Sequence, residues 1–357
     1  MSRALEQREK RARIGALLEA KNLDAVVLKK GANVAWIIGG RAHIPTTLEL
    51  SCMDVIVYRD RIVVVTNKIE APRLEAEELT GDEELIVINW FEGREGQLPK
   101  GERIGVDGAE NDRVNLQSEI EALRRTLNDY EVNRFREIGR DAAAALGEAM
   151  LDIDSDMSEV EVAGEIAEEL WERNLEPVVL LVAGESRIKS FRHPLPTTEE
   201  IGSIAMGVIC ARRKGLIASV TRLVSFGDMS AEMNDTYRRL LNVEAAFLDA
   251  TKVGATLAEA FTAGQSSYVA NGFARDEWTK HHQGGSTGYL PRDFPAHEKT
   301  PQLIGLNNAI AWNPSAEGLK VEDTVVTTAS GLEVITHDPK WPSIEIAGRS
   351  RPGIAIR

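Results

Sequence analysis

Three histidines, one strand glutamate and one strand arginine are the side chains best suited to proton transfer and charge recognition in this chain. His193 stands in an Arg192-His193-Pro194 turn that opens a loop, where catalytic groups are often carried on a fixed scaffold. His281 and His282 are adjacent in His281-His282-Gln283-Gly284-Gly285. On an extended backbone neighbouring side chains point to opposite sides, so one of the pair is expected to enter a cleft and the other to pack. A neutral imidazole titrates near physiological pH, which suits a group that takes and then returns a proton. Glu322 lies in the apolar run Leu319-Lys320-Val321-Glu322-Asp323-Thr324-Val325-Val326, where a carboxylate needs a partner. It orients a histidine, binds a cationic substrate group, or forms an ion pair with Arg222. Arg222 follows Thr221 in another apolar run, and either clamps a substrate carboxylate in bidentate fashion or holds a structural ion pair. The plainer reading of each histidine is a hydrogen bond to nearby backbone.

These groups need a scaffold, and the chain supplies two kinds. Up to about residue 125 helical and strand patterns alternate. A charged amphipathic helix ends near Lys21-Asn22, followed by the apolar runs Ala25-Val26-Val27-Leu28 and Val34-Ala35-Trp36-Ile37-Ile38, the second closed by a Gly39-Gly40 turn read as ending a strand. Asp54-Val55-Ile56-Val57 and Ile62-Val63-Val64-Val65 flank a short polar break, as in a hairpin. Residues 70–79 are expected to be helical, with strands at 85–88 and 104–106. From Asp129 the pattern changes to long helices, with Val132, Phe135, Ile138, Ala142 and Ala145 on one face. A second helix opens at Ser158, with Glu161 placed to complete a capping box, and leads to the strand Val178–Val182. The plan recurs about a hundred residues later: a helix over 234–251, a second capping box at Thr256 and Glu259, then strands. Two copies of one plan predict an internal pseudo-repeat with a cleft between its halves. Domains are therefore expected at 1–125 and 126–357, in an α/β (α+β) architecture.

Composition narrows the partners. At 357 residues with 43% hydrophobic and 27% charged side chains, the chain can bury a sizeable core and carries no signature of disorder. A formal net charge of −14 argues against electrostatic binding to nucleic acid or to an anionic membrane. Cys52 and Cys210 are too few for a disulfide framework or a cysteine-rich zinc site. No apolar stretch is long enough to span a bilayer, and the charged start lacks the apolar segment of a signal peptide. A cytoplasmic location is expected.

Taken in order, Arg192-His193-Pro194, Thr221-Arg222, His281-His282-Gln283-Gly284-Gly285, Asn313-Pro314 and Val321-Glu322-Asp323-Thr324-Val325 resemble the creatinase/aminopeptidase P/prolidase family. The resemblance spans nearly the whole chain. It implies a creatinase-like N-terminal α/β domain followed by a pita-bread catalytic domain with pseudo-twofold symmetry. Peptidases of that family hold two divalent ions with two aspartates, a histidine and two glutamates, a set of hard anionic donors that lets the ions share and activate one water. Anchored on Thr221-Arg222, the resemblance puts the two aspartate places at Val208 and Ser219, and the glutamate places at Asn313 and Glu322. Valine has no donor atom, and an amide replaces one carboxylate. The resemblance thus implies a two-metal site that has been dismantled, with no metal ligand assigned.

The family resembled also includes creatinase, which cleaves a C–N bond without metal by means of a histidine. The stretch from His281 to Asp293, with Gly284, Tyr289 and the Arg292-Asp293 pair, is nearer to creatinase than to the peptidases. The expected activity is metal-independent hydrolysis of a C–N bond in a small amide, amidine or peptide-like substrate. His281, His282, His193 and Glu322 are the candidate catalytic residues, and Arg222, Asn313, Ser219, Tyr289 and Arg292 the candidate substrate contacts. No cofactor is expected. Two alternatives stand beside this: an Xaa-Pro-type metallopeptidase with unusual ligands and a divalent ion such as manganese, and a catalytically inactive binding protein like histone-chaperone relatives of the fold. The basic turn Arg212-Arg213-Lys214 is a solvated hairpin tip or attracts an anionic substrate. The segment from Trp36 to Gly40, with Arg41 and His43, resembles one that approaches a neighbouring subunit's site, which implies a homodimer.

Overall fold

β-branched runs separated by short polar breaks make the first part of the chain a sheet with helices against it. A computed structural model describes residues 3–42, 44, 48–110 and 113–357, and the chain divides into the units Met1–Tyr130 and Glu131–Arg357. His43 lies outside the described residues. The first unit contains α1 (Arg3–Ala20), β1 (Ala25–Lys30), α2 (Gly31–Ile38), β2 (Leu50–Val57), β3 (Ile62–Asn67), α3 (Ala71–Arg73), β4 (Glu84–Ile88), β5 (Ile104–Val106), β6 (Val114–Asn115) and α4 (Gln117–Arg125). Its strands form one mixed sheet in the order β4-β3-β2-β1-β5-β6. The hairpin read from the sequence is present, with Val55 opposite Val64.

One expectation in this unit changes, and one is met with altered geometry. The run Val34–Ile38 is not a strand but the body of α2, and all five residues are buried. A short run that is apolar on every side fits a buried helix as well as a buried strand, so periodicity alone cannot separate them. Gly39 then takes the left-handed conformation (φ 69°) that closes the helix, rather than ending a strand. The expected helix over 70–79 is the short α3 followed by a wider π-helical turn, Leu74–Glu78.

The second unit repeats one plan twice. Helices α5 (Asp129–Asp152, its first turn preceding Glu131) and α6 (Glu159–Glu172) lead into β7 (Glu176–Ala183), β8 (Ile204–Arg213) and β9 (Leu216–Ser225). Helices α7 (Ala231–Ala250) and α8 (Leu257–Ala270) lead into β10 (Gly284–Thr287), β11 (Phe294–Pro295), β12 (Ala309–Trp312), the ribbon β13 (Ser315–Ala316) and β14 (Leu319–Lys320), β15 (Asp323–Thr328) and β16 (Gly331–Val334). The closing strands are β17 (Ser343–Ile346), β18 (Arg349–Pro352) and β19 (Ala355–Ile356). The sheets run β19-β9-β8-β7 and β11-β10-β12-β15-β16. Both capping boxes form. Ser158 accepts from the Glu161 amide while Glu161 returns to the Ser158 amide, and Thr256 and Glu259 do the same.

What positions the site is the seam between these two sheets. The apolar run 319–326 is not one strand: β14 pairs with β13, β15 pairs with β12 and β16, and the two residues between them change partners. At that break Glu322 bridges to Thr221 of β9, whose amide donates to the Glu322 carbonyl at 3.1 Å. Beneath the seam lies a buried group of four charges. Arg222 meets Asp323 at 3.2 Å, Arg351 meets the other oxygen of Asp323 at 2.7 Å, and Arg351 Nε donates to Glu244 at 2.7 Å. Two cations balance two anions, which is the condition under which such charges can be kept out of water.

Candidate functional site

Glu322 is the centre of the site, and three donors converge on its carboxylate. Lys320 Nζ lies 2.8 Å from Oε2, Thr221 Oγ1 donates to the same oxygen at 3.0 Å, and an Arg292 amino group lies 2.6 Å from Oε1. Burial alone would push this carboxyl up, but Lys320 and Arg292 outweigh it and hold it down at about 2. Lys320 comes from the ribbon, where it stands directly opposite Ser315. Arg292 comes from the turn between β10 and β11.

The second component is an imidazole cluster. His281 Nε2 lies 3.1 Å from His193 Nε2, and His281 Nδ1 lies 3.3 Å from Ser315 Oγ. His282 packs beside both, with ring centroids 4.5 Å from His281 and 5.4 Å from His193. The pair therefore does not split to opposite sides as adjacent residues on an extended strand would. His282 borders the cavity, while the buried His281 sits behind it and bonds to His193. Burial, then Lys320 and the neighbouring rings, push His281 down to about 2, while burial and Arg292 push His282 down to about 4. His193 is lowered in the same direction by burial and Lys320. The rings are thus neutral at physiological pH; both nitrogens of His281 are engaged, by His193 and by Ser315, so only His193 and His282 can offer a nitrogen to the cavity.

Gly284 and Gly285 fix the strand that follows the histidine pair. Their φ values are 111° and 146°, and a Cβ on either would lie 2.1 Å from a backbone carbonyl oxygen, of Ala311 and Phe294 respectively. Only glycine lets β10 approach both neighbours so closely.

A cavity of about 540 Å³ opens over these groups. One wall is apolar, with Val179 and Leu181 of β7, Val208 and Cys210 of β8, and Leu195. The other carries His193, His282, Arg292, Asn313, Lys320 and Glu322. With the histidines neutral, two cations face one carboxylate, so the polar wall carries a net positive charge. Asn313 Oδ1 is buried without a hydrogen-bond partner, and so is Arg292 Nε. An unmet acceptor and an unmet donor beside a cavity are what a bound polar ligand would satisfy. Cys210 is no nucleophile: burial pushes its thiol up, and it packs 3.3 Å from Ser219 Oγ.

Two candidates from the sequence lie elsewhere. Arg222 is buried in the four-charge group, donating to Asp323 and to the Thr336 carbonyl, so it is a structural ion pair and not a substrate clamp; its partner is Asp323 rather than Glu322. Tyr289 is also turned away from the cavity, with its hydroxyl donating to Glu131 of α5 at 2.7 Å. Ser219 is buried behind Arg292, which reaches its Oγ at 3.4 Å. The basic turn is accounted for structurally, since Arg212 pairs with Glu176 and Arg213 with Asp141. Lys320 is the group that sequence reasoning passed over. The available signal was its place two residues before Glu322, which puts both on one face of an extended segment.

The donor set does not fit two divalent ions. Val208 offers no atom, Ser219 is engaged by Cys210 and Arg292, Asn313 is neutral, and both oxygens of Glu322 are taken by attached cations. A pair of metal ions there would meet Lys320 and Arg292 instead of anions.

Comparison with known proteins agrees with the architecture. The sequence profile described as metallopeptidase family M24 matches residues 133–329. An uncharacterized peptidase of Bacillus subtilis, YqhT, is 23% identical over 237 residues, covering 64% of this chain and 66% of its own length. The crystal structure of the prolidase from Pyrococcus horikoshii superposes with a TM-score of 0.78 at 16% identity, covering 92% of this chain and 98% of that one. The Xaa-Pro dipeptidase from Bacillus anthracis gives 0.77 at 17%, covering 98% and 100%. The α/β amino-terminal domain and pita-bread domain expected from the motifs are the fold of these neighbours.

Proposed function

The chain belongs to metallopeptidase family M24, a family of hydrolases, and on that footing we propose that it cleaves the C–N bond of a short peptide or small amide without a two-metal centre. The observation that carries this reading is the Glu322 carboxylate held between Lys320 and Arg292 at the edge of a cavity that also exposes His193 and His282. Similarity to proteins named peptidase and dipeptidase favours a peptide over a guanidino substrate, and membership of a metallopeptidase family favours the metal-dependent form of the reaction. The side chains favour the metal-free form, because fixed cations take up the carboxylate that would otherwise bind an ion.

The chemistry asked of these groups is ordinary amide hydrolysis. Water adds to the carbonyl carbon while a histidine takes its proton. The developing oxyanion is stabilised by the positive wall, and the same proton passes to the leaving nitrogen as the C–N bond breaks. His281, bonded to Ser315 on one side and His193 on the other, holds the exposed His193 ring in place and is a positioning residue. The apolar wall accepts a hydrophobic side group of the substrate. In this reading Asn313 accepts an N–H of the substrate, which its buried, unpartnered Oδ1 supports. A soluble homodimer is part of the same proposal.

The test is a panel of Xaa-Pro dipeptides, other dipeptides and small amides, incubated with metal-depleted protein in chelator and followed by mass spectrometry. Turnover that persists in chelator and disappears in His193→Ala and His282→Ala supports the reading. Turnover that appears only when manganese is added refutes it.

A further inference from the structure

We infer that His193, His281 and His282 form a capture site for a single transition-metal ion of the zinc and copper class, which shuts off the hydrolysis proposed above. The inhibitory half of this inference rests on that functional reading, whereas the binding half does not. Each ring offers one nitrogen, and the three nitrogens lie within 4.8 Å of one another. The centre of an equilateral triangle of that size is about 2.8 Å from each corner, and zinc–imidazole bonds are about 2.0–2.1 Å, so small ring rotations close the site. Among the described residues no other group of three histidine, cysteine or acidic side chains is so disposed.

Two further features make this more than a crowd of rings. A ligating imidazole is held by a hydrogen bond to its second nitrogen, which fixes the tautomer. His281 has that bond in place: with Nε2 given to an ion, Nδ1–H faces Ser315 Oγ at 3.3 Å. Ser315 in turn is held by the ribbon register opposite Lys320 and by the Tyr268 hydroxyl, which lies 3.1 Å from its amide nitrogen. Access is open as well, since His193 and His282 are only partly covered and border the cavity. A fourth coordination position would face that space and could take water, chloride or a substrate carboxylate. Such an anion would also offset the positive charge of Lys320 and Arg292.

Ligand type sets the metal. Three imidazoles and no carboxylate suit zinc, copper and nickel, and offer little to manganese or magnesium, which prefer oxygen. An ion bound here takes the lone pairs that would otherwise accept a proton from water. Metal therefore acts with the opposite sign to its role in a two-metal peptidase: adding it lowers activity, and removing it restores activity.

The experiment uses the full chain, stripped with chelator and desalted, titrated with zinc chloride by calorimetry and with cobalt chloride by visible absorption. The expected result is one ion per chain, with the intense visible bands of four-coordinate cobalt and no comparable uptake of manganese. Ser315→Ala, which leaves the three rings in place, is expected to weaken zinc binding by roughly 10- to 100-fold, and His193→Ala and His282→Ala are expected to weaken it at least as much. No stoichiometric zinc uptake, or uptake unchanged in both histidine variants, overturns the inference. If the stripped chain turns over an amide, zinc at the concentration that fills the site must suppress it, and binding without suppression overturns the inhibitory half. A stripped chain that hydrolyses nothing but still binds zinc through these rings sinks the functional reading and leaves the metal site standing.

Discussion

The Lys320 ammonium lies 2.8 Å from Oε2 of Glu322, and both side chains are buried. With Arg292 on the other oxygen, the positive charge beside this carboxylate is covalently part of the chain and cannot be removed by a chelator. Lys320→Met leaves a buried carboxylate with one cation in place of two. The expected loss of stability is about 3 kcal/mol, the range seen when one partner of a buried pair is removed. Adding Glu322→Gln to the same chain is expected to recover most of that loss, because the unpaired charge is gone. Urea denaturation of the two variants measures both values, and an unchanged midpoint for Lys320→Met alone would show that the pair contributes nothing.

The same carboxylate makes stability depend on acid. Glu322 titrates near 2 in the folded chain against an ordinary value of 4.5, so the unfolded chain binds the extra proton between those values. Stability from this group is fully present above about pH 4.5 and is lost as pH falls toward 2; its size is about 3 kcal/mol. Denaturation midpoints measured from pH 6 down to pH 3 should fall more steeply for the natural chain than for Glu322→Gln. Parallel curves for the two proteins would contradict the assignment.

Arg222 separates architecture from binding. It is buried against Asp323 in a balanced group with Arg351 and Glu244, away from the cavity. Arg222→Met is expected to cost about 3–5 kcal/mol of stability by leaving part of Asp323 unpaired. Arg222→Lys keeps the charge and is expected to lose less. Any substrate hydrolysed by the natural chain should show the same KM with the lysine variant. A KM raised about tenfold without loss of stability would return Arg222 to the substrate.

Much of this was legible in the order of short motifs. The helix pairs announce themselves through capping boxes at Ser158 and Thr256, because a serine or threonine three residues before a glutamate satisfies local geometry whatever packs around it. The loss of donors at Val208 and Asn313 is equally local, since side-chain chemistry does not depend on the fold. What could not be read was direction. Arg222 and Tyr289 carry groups suited to a substrate, yet partners distant in sequence, Asp323 and Glu131, turn them inward. His281 and His282 share one cluster with His193, a neighbour 88 and 89 positions away that sequence spacing does not reveal. The buried α2 reads as a strand in the sequence because an unbroken apolar run carries no period.

Asn313 is where ligand binding and stability should pull apart. Its Oδ1 is buried beside the cavity with no partner, so the folded chain bears the cost of an unmet acceptor. Asn313→Leu removes that acceptor at similar volume, and its stability is expected to be unchanged or higher by about 1 kcal/mol. If the acceptor serves a substrate N–H, the same variant should raise KM by roughly tenfold, the equivalent of one hydrogen bond of about 1.4 kcal/mol. Thermal denaturation and steady-state kinetics on one preparation give both readings. A variant that is less stable and binds as before would mean that Asn313 is held by the core, and that the cavity is shaped for a ligand on its other wall.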